Sequence, residues 1–135
     1  MSEMSYDLNT LKLVNTKVNL LKYKEQIGDD WNPFTENGFD CNNYATRKME
    51  ELAMRGVQLE SMRLATCFVE RSAAAEKKDR YHAVLLVTIG DTTYVLCNRH
   101  PLPIKYELLP YEWHKLQVAG TQTWEWATNA DMSFG

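Results

Sequence analysis

The sequence predicts an α+β domain: an N-terminal helix and a second helix that opens on a cysteine, both packed on an antiparallel β-sheet. Two segments, about 6–24 and 41–55, carry apolar residues at helical spacing. Two others, Tyr81–Ile89 and Thr92–Asn98, are apolar at nearly every position and flank Gly90-Asp91 as strands flank a hairpin turn. The stretches 62–69 and 106–127 offer further short strands, which makes a sheet of several strands the natural partner of the helices.

In the first segment Leu11, Val14, Val18 and Leu21 form one stripe, while Lys12, Lys17, Lys22 and Lys24 face water. Asn15 and Asn19 lie on or beside that stripe, as exposed edge residues or as buried amides bonded to a neighbouring loop. Gly28 to Gly38 reads as a loop whose large apolar residues are Trp31 and Phe34; Trp31 is either a plug under the loop or part of a binding site. Asp40 is placed to cap the next helix, in which Cys41, Ala45, Met49 and Leu52 recur at near-helical spacing and Gly56 stands where a C-terminal cap belongs. Met62–Val69 follows as a strand with Leu64, Thr66 and Phe68 on one face and Ala65, Cys67 and Val69 on the other. Ser72 to Arg80, polar and alanine-rich, reads as a surface connection or a short helical excursion. After the hairpin, Arg99 to Pro103 must be irregular because of its prolines, and Tyr106–Leu109, Leu116–Val118 and Thr121–Ala127 read as short strands.

One domain, 1–135 with its core at about 8–127, suits a chain of 135 residues. Hydrophobic residues make up 44% and charged residues 24%, the balance of a soluble globular protein. A net charge of −3, with basic residues scattered among acids, gives nucleic acid no footing. The local run of Arg71, Lys77, Lys78 and Arg80 reads as a solvated loop. No signal-type apolar run follows Met1 and no stretch reaches membrane-spanning length, so the expectation is a cytoplasmic protein without a membrane partner. The three cysteines are odd in number and match no zinc-finger spacing, which argues for a reducing compartment without a disulfide framework. No cofactor or metal is called for.

The chemistry centres on Cys41. In the first turn of a helix, unpaired N–H groups and the macrodipole favour a thiolate, which lowers a cysteine pKa and makes it nucleophilic. The plainer reading is a small core residue on the helix's buried face. Hairpin pairing brings the start of the first strand, near His82, beside the end of the second, so His82 and Cys97 are predicted neighbours. A cysteine at a helix start followed by a histidine opening a central strand is the chain order of papain-type thiol chemistry.

The ordered motifs Val14-Asn15-Thr16-Lys17-Val18-Asn19, Asp30-Trp31-Asn32-Pro33, Asp40-Cys41-Asn42-Asn43-Tyr44-Ala45, His82-Ala83-Val84-Leu85 and Val95-Leu96-Cys97-Asn98 carry a resemblance. Over about Leu11 to Trp126 the chain resembles the bacterial transglutaminase-like cysteine peptidases, a group that includes periplasmic proteases which cut surface adhesins. The resemblance implies a papain-like, transglutaminase-like core. It implies Cys41 as nucleophile, His82 as general base and acid, the Cys41 backbone N–H as an oxyanion donor and Trp31 as a possible second. It also implies a protein or peptide substrate.

Three departures stand against the family pattern. Asn42-Asn43 replaces an acidic pair, which makes the calcium site of some relatives doubtful here. Phe39 replaces a glycine. Cys97 stands where the family has the aspartate that orients histidine, with Asn98 next to it as a substitute that a regular strand would turn to the other face. Cys41, His82 and Cys97 together also make a conceivable zinc set, though a histidine lying between the thiols would have to move. The sequence therefore supports two readings. One is a peptidase-like acyl-transfer enzyme with a degenerate third member. The other is a catalytically silent copy of the fold, serving as a binding or structural component of a larger assembly such as a phage virion.

Overall fold

The computed structural model describes residues 7–21, 41–70, 76 and 80–127. The loop containing Trp31, the cap Asp40, Phe39 and most of the 71–79 connection lie outside the described residues.

Helix α1 spans Leu8–Asn19. It starts on a reciprocal cap: the Thr10 backbone N–H donates to Asp7 Oδ1 at 3.1 Å, and the Asp7 N–H to Thr10 Oγ1 at 3.4 Å. Leu11, Val14, Asn15 and Val18 are its buried face. The described helix is thus shorter than the 6–24 the periodicity suggested, and Leu20 already lies outside it, 81% exposed. Helix α2 spans Cys41–Met54. Gly56, at φ 95°, ends it: its N–H reaches Ala53 O and the Val57 N–H reaches Leu52 O, both at 3.0 Å.

A 3-10 turn, Leu59–Ser61, leads into a six-stranded antiparallel sheet, ordered β4-β3-β2-β1-β5-β6. The strands are β1 Met62–Phe68, β2 Tyr81–Ile89, β3 Thr92–Leu96, β4 Ile104–Lys105, β5 Glu112–Gln117 and β6 Trp124–Trp126. The β2–β3 hairpin turns on Gly90 at φ +60°, as a two-residue turn with positive φ requires, and pairs Ile89 with Thr92. Alternation along the strands divides the core. Leu64, Leu85, Val87 and Leu96 join Leu11, Val14, Val18, Ala45 and Leu52 beneath the helices. Ala65, Val84, Leu86, Val95, Cys97 and Leu116 form a second cluster, closed by Tyr106, Leu109 and Trp113. Central strands covered on both faces are what the unbroken apolar run at 81–89 demanded.

Past the hairpin the expectations need correction. Tyr106–Leu108 is a 3-10 turn, not a strand; the strand there is the two-residue β4, because Pro101 and Pro103 withhold ladder donors until Ile104. The strand expected at Leu116–Val118 begins earlier, at Glu112, and that expected over Thr121–Ala127 is only Trp124–Trp126. Strand β3 stops at Leu96, so Cys97 and Asn98 lie beyond the ladder and the argument from strand alternation does not govern Asn98.

Candidate active site

Topology directs the cysteine helix toward the histidine strand. The short link from Arg55 to Ser61 sets the C-terminal end of α2 near Met62, which pairs with Val87. Helix α2 is about 21 Å long and β1 about 23 Å, so α2, which packs against β2 and β1, points its N-terminus at the other end of the pair. That end holds Phe68, Tyr81 and His82. Cys41 is half-buried there, and its thiol lies 3.7 Å from the Asn42 carbonyl oxygen Oδ1. Asn42 and Asn43 are both buried.

His82 and Cys97 meet as hairpin geometry predicts: His82 Nε2 is 2.9 Å from Cys97 Sγ. Both are buried. The Arg99 backbone N–H donates to the same sulfur at 3.3 Å, and the Tyr111 hydroxyl lies 3.8 Å from it. Tyr111 also sets its ring at right angles to that of His82, with centroids 6.4 Å apart. Arg99 Nη1 donates to the Tyr111 oxygen at 3.0 Å and forms, with Nη2, a two-pronged ion pair with Glu70 at 2.9 Å each. His100 Nε2 completes the cluster, 3.4 Å from the Tyr111 oxygen.

Helix α1 holds this strand end in place. Asn15 Nδ2 donates to the carbonyls of His100 and Pro101, both at 3.0 Å, and Asn19 Nδ2 to those of Cys97 and His100 at 3.1 and 3.3 Å. Of the two roles open to these asparagines, the bonded-amide role is the one realised. A segment whose prolines exclude it from the sheet has its carbonyls satisfied by side chains instead.

Burial sets the charges. It pulls His82 down to about 3, helped by Arg99, Lys48 and His100, so the ring is neutral at pH 7. Burial pushes Cys97 up, against the Arg99 N–H, Lys48 and Tyr111, which favour its thiolate. Lys48, two turns along α2 from Cys41 and fully buried, has no hydrogen-bond partner for Nζ among the described residues. Desolvation brings it down to about 7, partly offset by Cys97.

Of the residues singled out from sequence, the structure joins His82 to Cys97 and sets Cys41 at the helix start. Asn98 is half-buried with its Oδ1 unpartnered, and it is Cys97 that takes the His82 nitrogen. Trp31 lies outside the described residues. Cys67 is core, as expected, packed with Val69 and Tyr111. Among the described residues no three His, Cys, Asp or Glu side chains converge as metal ligands, and Asn42-Asn43 supplies neutral amides where calcium favours carboxylates. Lys48, Arg99 and Tyr111 were not anticipated. Lys48 had a signal, since it falls on the Cys41–Ala45–Leu52 stripe; Tyr111 had none.

Comparison with known proteins agrees with this architecture. Three structures of Legionella pneumophila LapG are similar. The calcium-bound form has a TM-score of 0.73 and 17% identity over 90% of this chain and 69% of that one. A second has a TM-score of 0.68 and 19% identity over 87% and 67%, and the EGTA-treated form a TM-score of 0.63 and 20% identity over 87% and 70%. At such identities the likeness is one of fold, and it matches the two helices on an antiparallel sheet seen here. No curated protein sequence matches the chain. The profile of the bacterial transglutaminase-like cysteine proteinases matches residues 2–132. The chain belongs to that family.

Proposed function

We propose that the chain is a thiol acyl-transfer enzyme that cleaves a peptide amide, with Cys41 as nucleophile, His82 as its base and acid, and Cys97 in the place of the orienting carboxylate. The observation that carries the reading is the 2.9 Å contact between His82 Nε2 and Cys97 Sγ. With Nε2 engaged, Nδ1 is the nitrogen left to serve the thiol. His82 is the second residue of β2 and shares the row of Val84 and Leu86, whose cluster contains no residue of α1 or α2. In this reading Cys41 reaches the ring round the open end of the strand.

In this scheme Nδ1 takes the Cys41 proton as sulfur attacks the carbonyl carbon, and backbone N–H groups at the start of α2 receive the oxyanion. Nδ1–H then protonates the departing amine, leaving a thioester. Water, deprotonated by the same nitrogen, releases the acid and regenerates the thiol. Burial of His82 opposes the imidazolium that each step passes through, and a neutral thiol opposite Nε2 offsets that less than a carboxylate. The same facts favour the second reading, a silent copy of the fold kept for binding.

Two measurements decide. Iodoacetamide at about pH 7 should label Cys41 well ahead of the fully buried Cys67 and Cys97. His82→Ala should slow Cys41 labelling about tenfold, and unchanged labelling would remove His82 from the mechanism. Incubation with a proteome-derived peptide library should yield new termini with wild type and none with Cys41→Ser. Identical libraries would leave the silent reading standing.

A further inference from the structure

We infer that Tyr111 is a positioning residue of this site: its oxygen takes the hydrogen bond of the Cys97 thiol proton, which leaves the sulfur to accept from the Arg99 backbone N–H and from His82, places the His82 proton on Nε2 and frees Nδ1 as the base. The inference rests on the Cys41–His82 reading for its catalytic meaning, though not for its geometry.

A neutral imidazole carries one proton, and which nitrogen holds it decides whether Nδ1 can accept the Cys41 proton. An aspartate opposite Nε2 settles the matter because a carboxylate only accepts. A thiol does not, since it can also donate its own proton to Nε2, and then Nδ1 carries the hydrogen and cannot act as base. Here the sulfur is free to accept because its own proton has another place to go. The Arg99 backbone N–H, 3.3 Å from Sγ, can only donate. Arg99 Nη1, 3.0 Å from the Tyr111 oxygen, can also only donate, so the hydroxyl must direct its own proton elsewhere. His100 Nε2, 3.4 Å away, is the acceptor that takes it. The second lone pair of the Tyr111 oxygen is then left for the Cys97 S–H, with Sγ at 3.8 Å. With its own proton directed at Tyr111 and one lone pair holding the Arg99 N–H, the sulfur keeps a lone pair for His82 Nε2–H. The Glu70–Arg99 ion pair fixes the guanidinium that aims the hydroxyl.

The test reads the tautomer directly. In histidine-labelled protein, nitrogen resonances assigned with a His82→Gln control should show His82 in wild type mainly as the Nε2–H form. Tyr111→Phe, which keeps the ring and removes the hydroxyl, should raise the Nδ1–H fraction several-fold and slow Cys41 alkylation by a similar factor. In a Cys97→Asp background the same substitution should leave the tautomer unchanged, because a carboxylate needs no help to accept. A predominantly Nδ1–H ring in wild type overturns the inference, as does a tautomer that ignores Tyr111→Phe; the wild-type spectrum suffices if the variant fails to fold. A responsive tautomer with alkylation indifferent to His82→Ala would instead sink the peptidase reading. A fixed tautomer with His82-dependent alkylation would sink only the role of Tyr111.

Discussion

Cys67 and Cys97 are both buried thiols beside His82, yet they stand in opposite chemical worlds. Cys67 is still within β1, one residue before its end and directly opposite His82 in the β1–β2 ladder, and its side chain packs against Val69 and Tyr111. Burial pushes its thiol far up, and no hydrogen-bonded donor opposes the shift. Cys97 lies one residue past the end of β3, where the chain turns back so that the Arg99 N–H, the His82 ring and the Tyr111 hydroxyl converge on its sulfur. Burial alone therefore makes a thiol inert. What separates a site from a core residue here is leaving the ladder, because backbone donors that are no longer committed to a neighbouring strand can be aimed at a side chain.

The comparison breaks most visibly if both positions receive a carboxylate. Cys67→Asp buries a charge without donors and should cost about 3–5 kcal/mol or prevent folding. Cys97→Asp meets three donors and should cost no more than about 1–2 kcal/mol. Equal losses in thermal melts would show that the polar surroundings of Cys97 do not stabilise charge.

Lys48 carries the same lesson, being buried near Cys97 with no bonded partner among the described residues. Its folded value of about 7 lies below the ordinary 10.5, so between these values the unfolded chain binds more protons and stability rises with pH. This contribution is fully present above 10.5 and is lost as pH falls through about 7. Between about pH 6 and pH 9 it should amount to about 2–3 kcal/mol. Lys48→Met should abolish that part of the slope and raise stability near neutrality. An unchanged difference between the two pH values would mean that Lys48 finds a proton-sharing partner.

A smaller effect concerns reactivity. Cys97→Asp should raise the His82 pKa, since the carboxylate stabilises imidazolium, and with it the Cys41 alkylation rate near pH 6, by about tenfold, or about 1.4 kcal/mol. The pH profile of alkylation in wild type and variant reads this, and coincident profiles would remove Cys97 from the orienter's place. The smallest change belongs to the rim. Glu70→Gln breaks a partly exposed ion pair and should cost at most about 1 kcal/mol in a melt, while slightly raising the Nδ1–H fraction of His82 as Arg99 loosens its hold on Tyr111.

What depends on neighbours in the chain was legible from the residues alone. The stripe of α1, the glycine that ends α2, the Gly90-Asp91 turn and the alternation of β1 are local patterns, and the hairpin alone was enough to bring His82 to Cys97. The short turns after Pro101 were misjudged because two-residue strands and 3-10 turns are chosen by what they pack against. The surroundings of the sulfur follow from packing in three dimensions. Arg99 is adjacent in sequence, but Tyr111 is brought in from the loop preceding β5 and Lys48 from a helix on the other side of the core. A pKa, a tautomer and the direction of a hydroxyl proton are each set by groups distant in sequence and close in space. No periodicity along the chain encodes them, because electrostatics and hydrogen bonding act through distance and not through residue number.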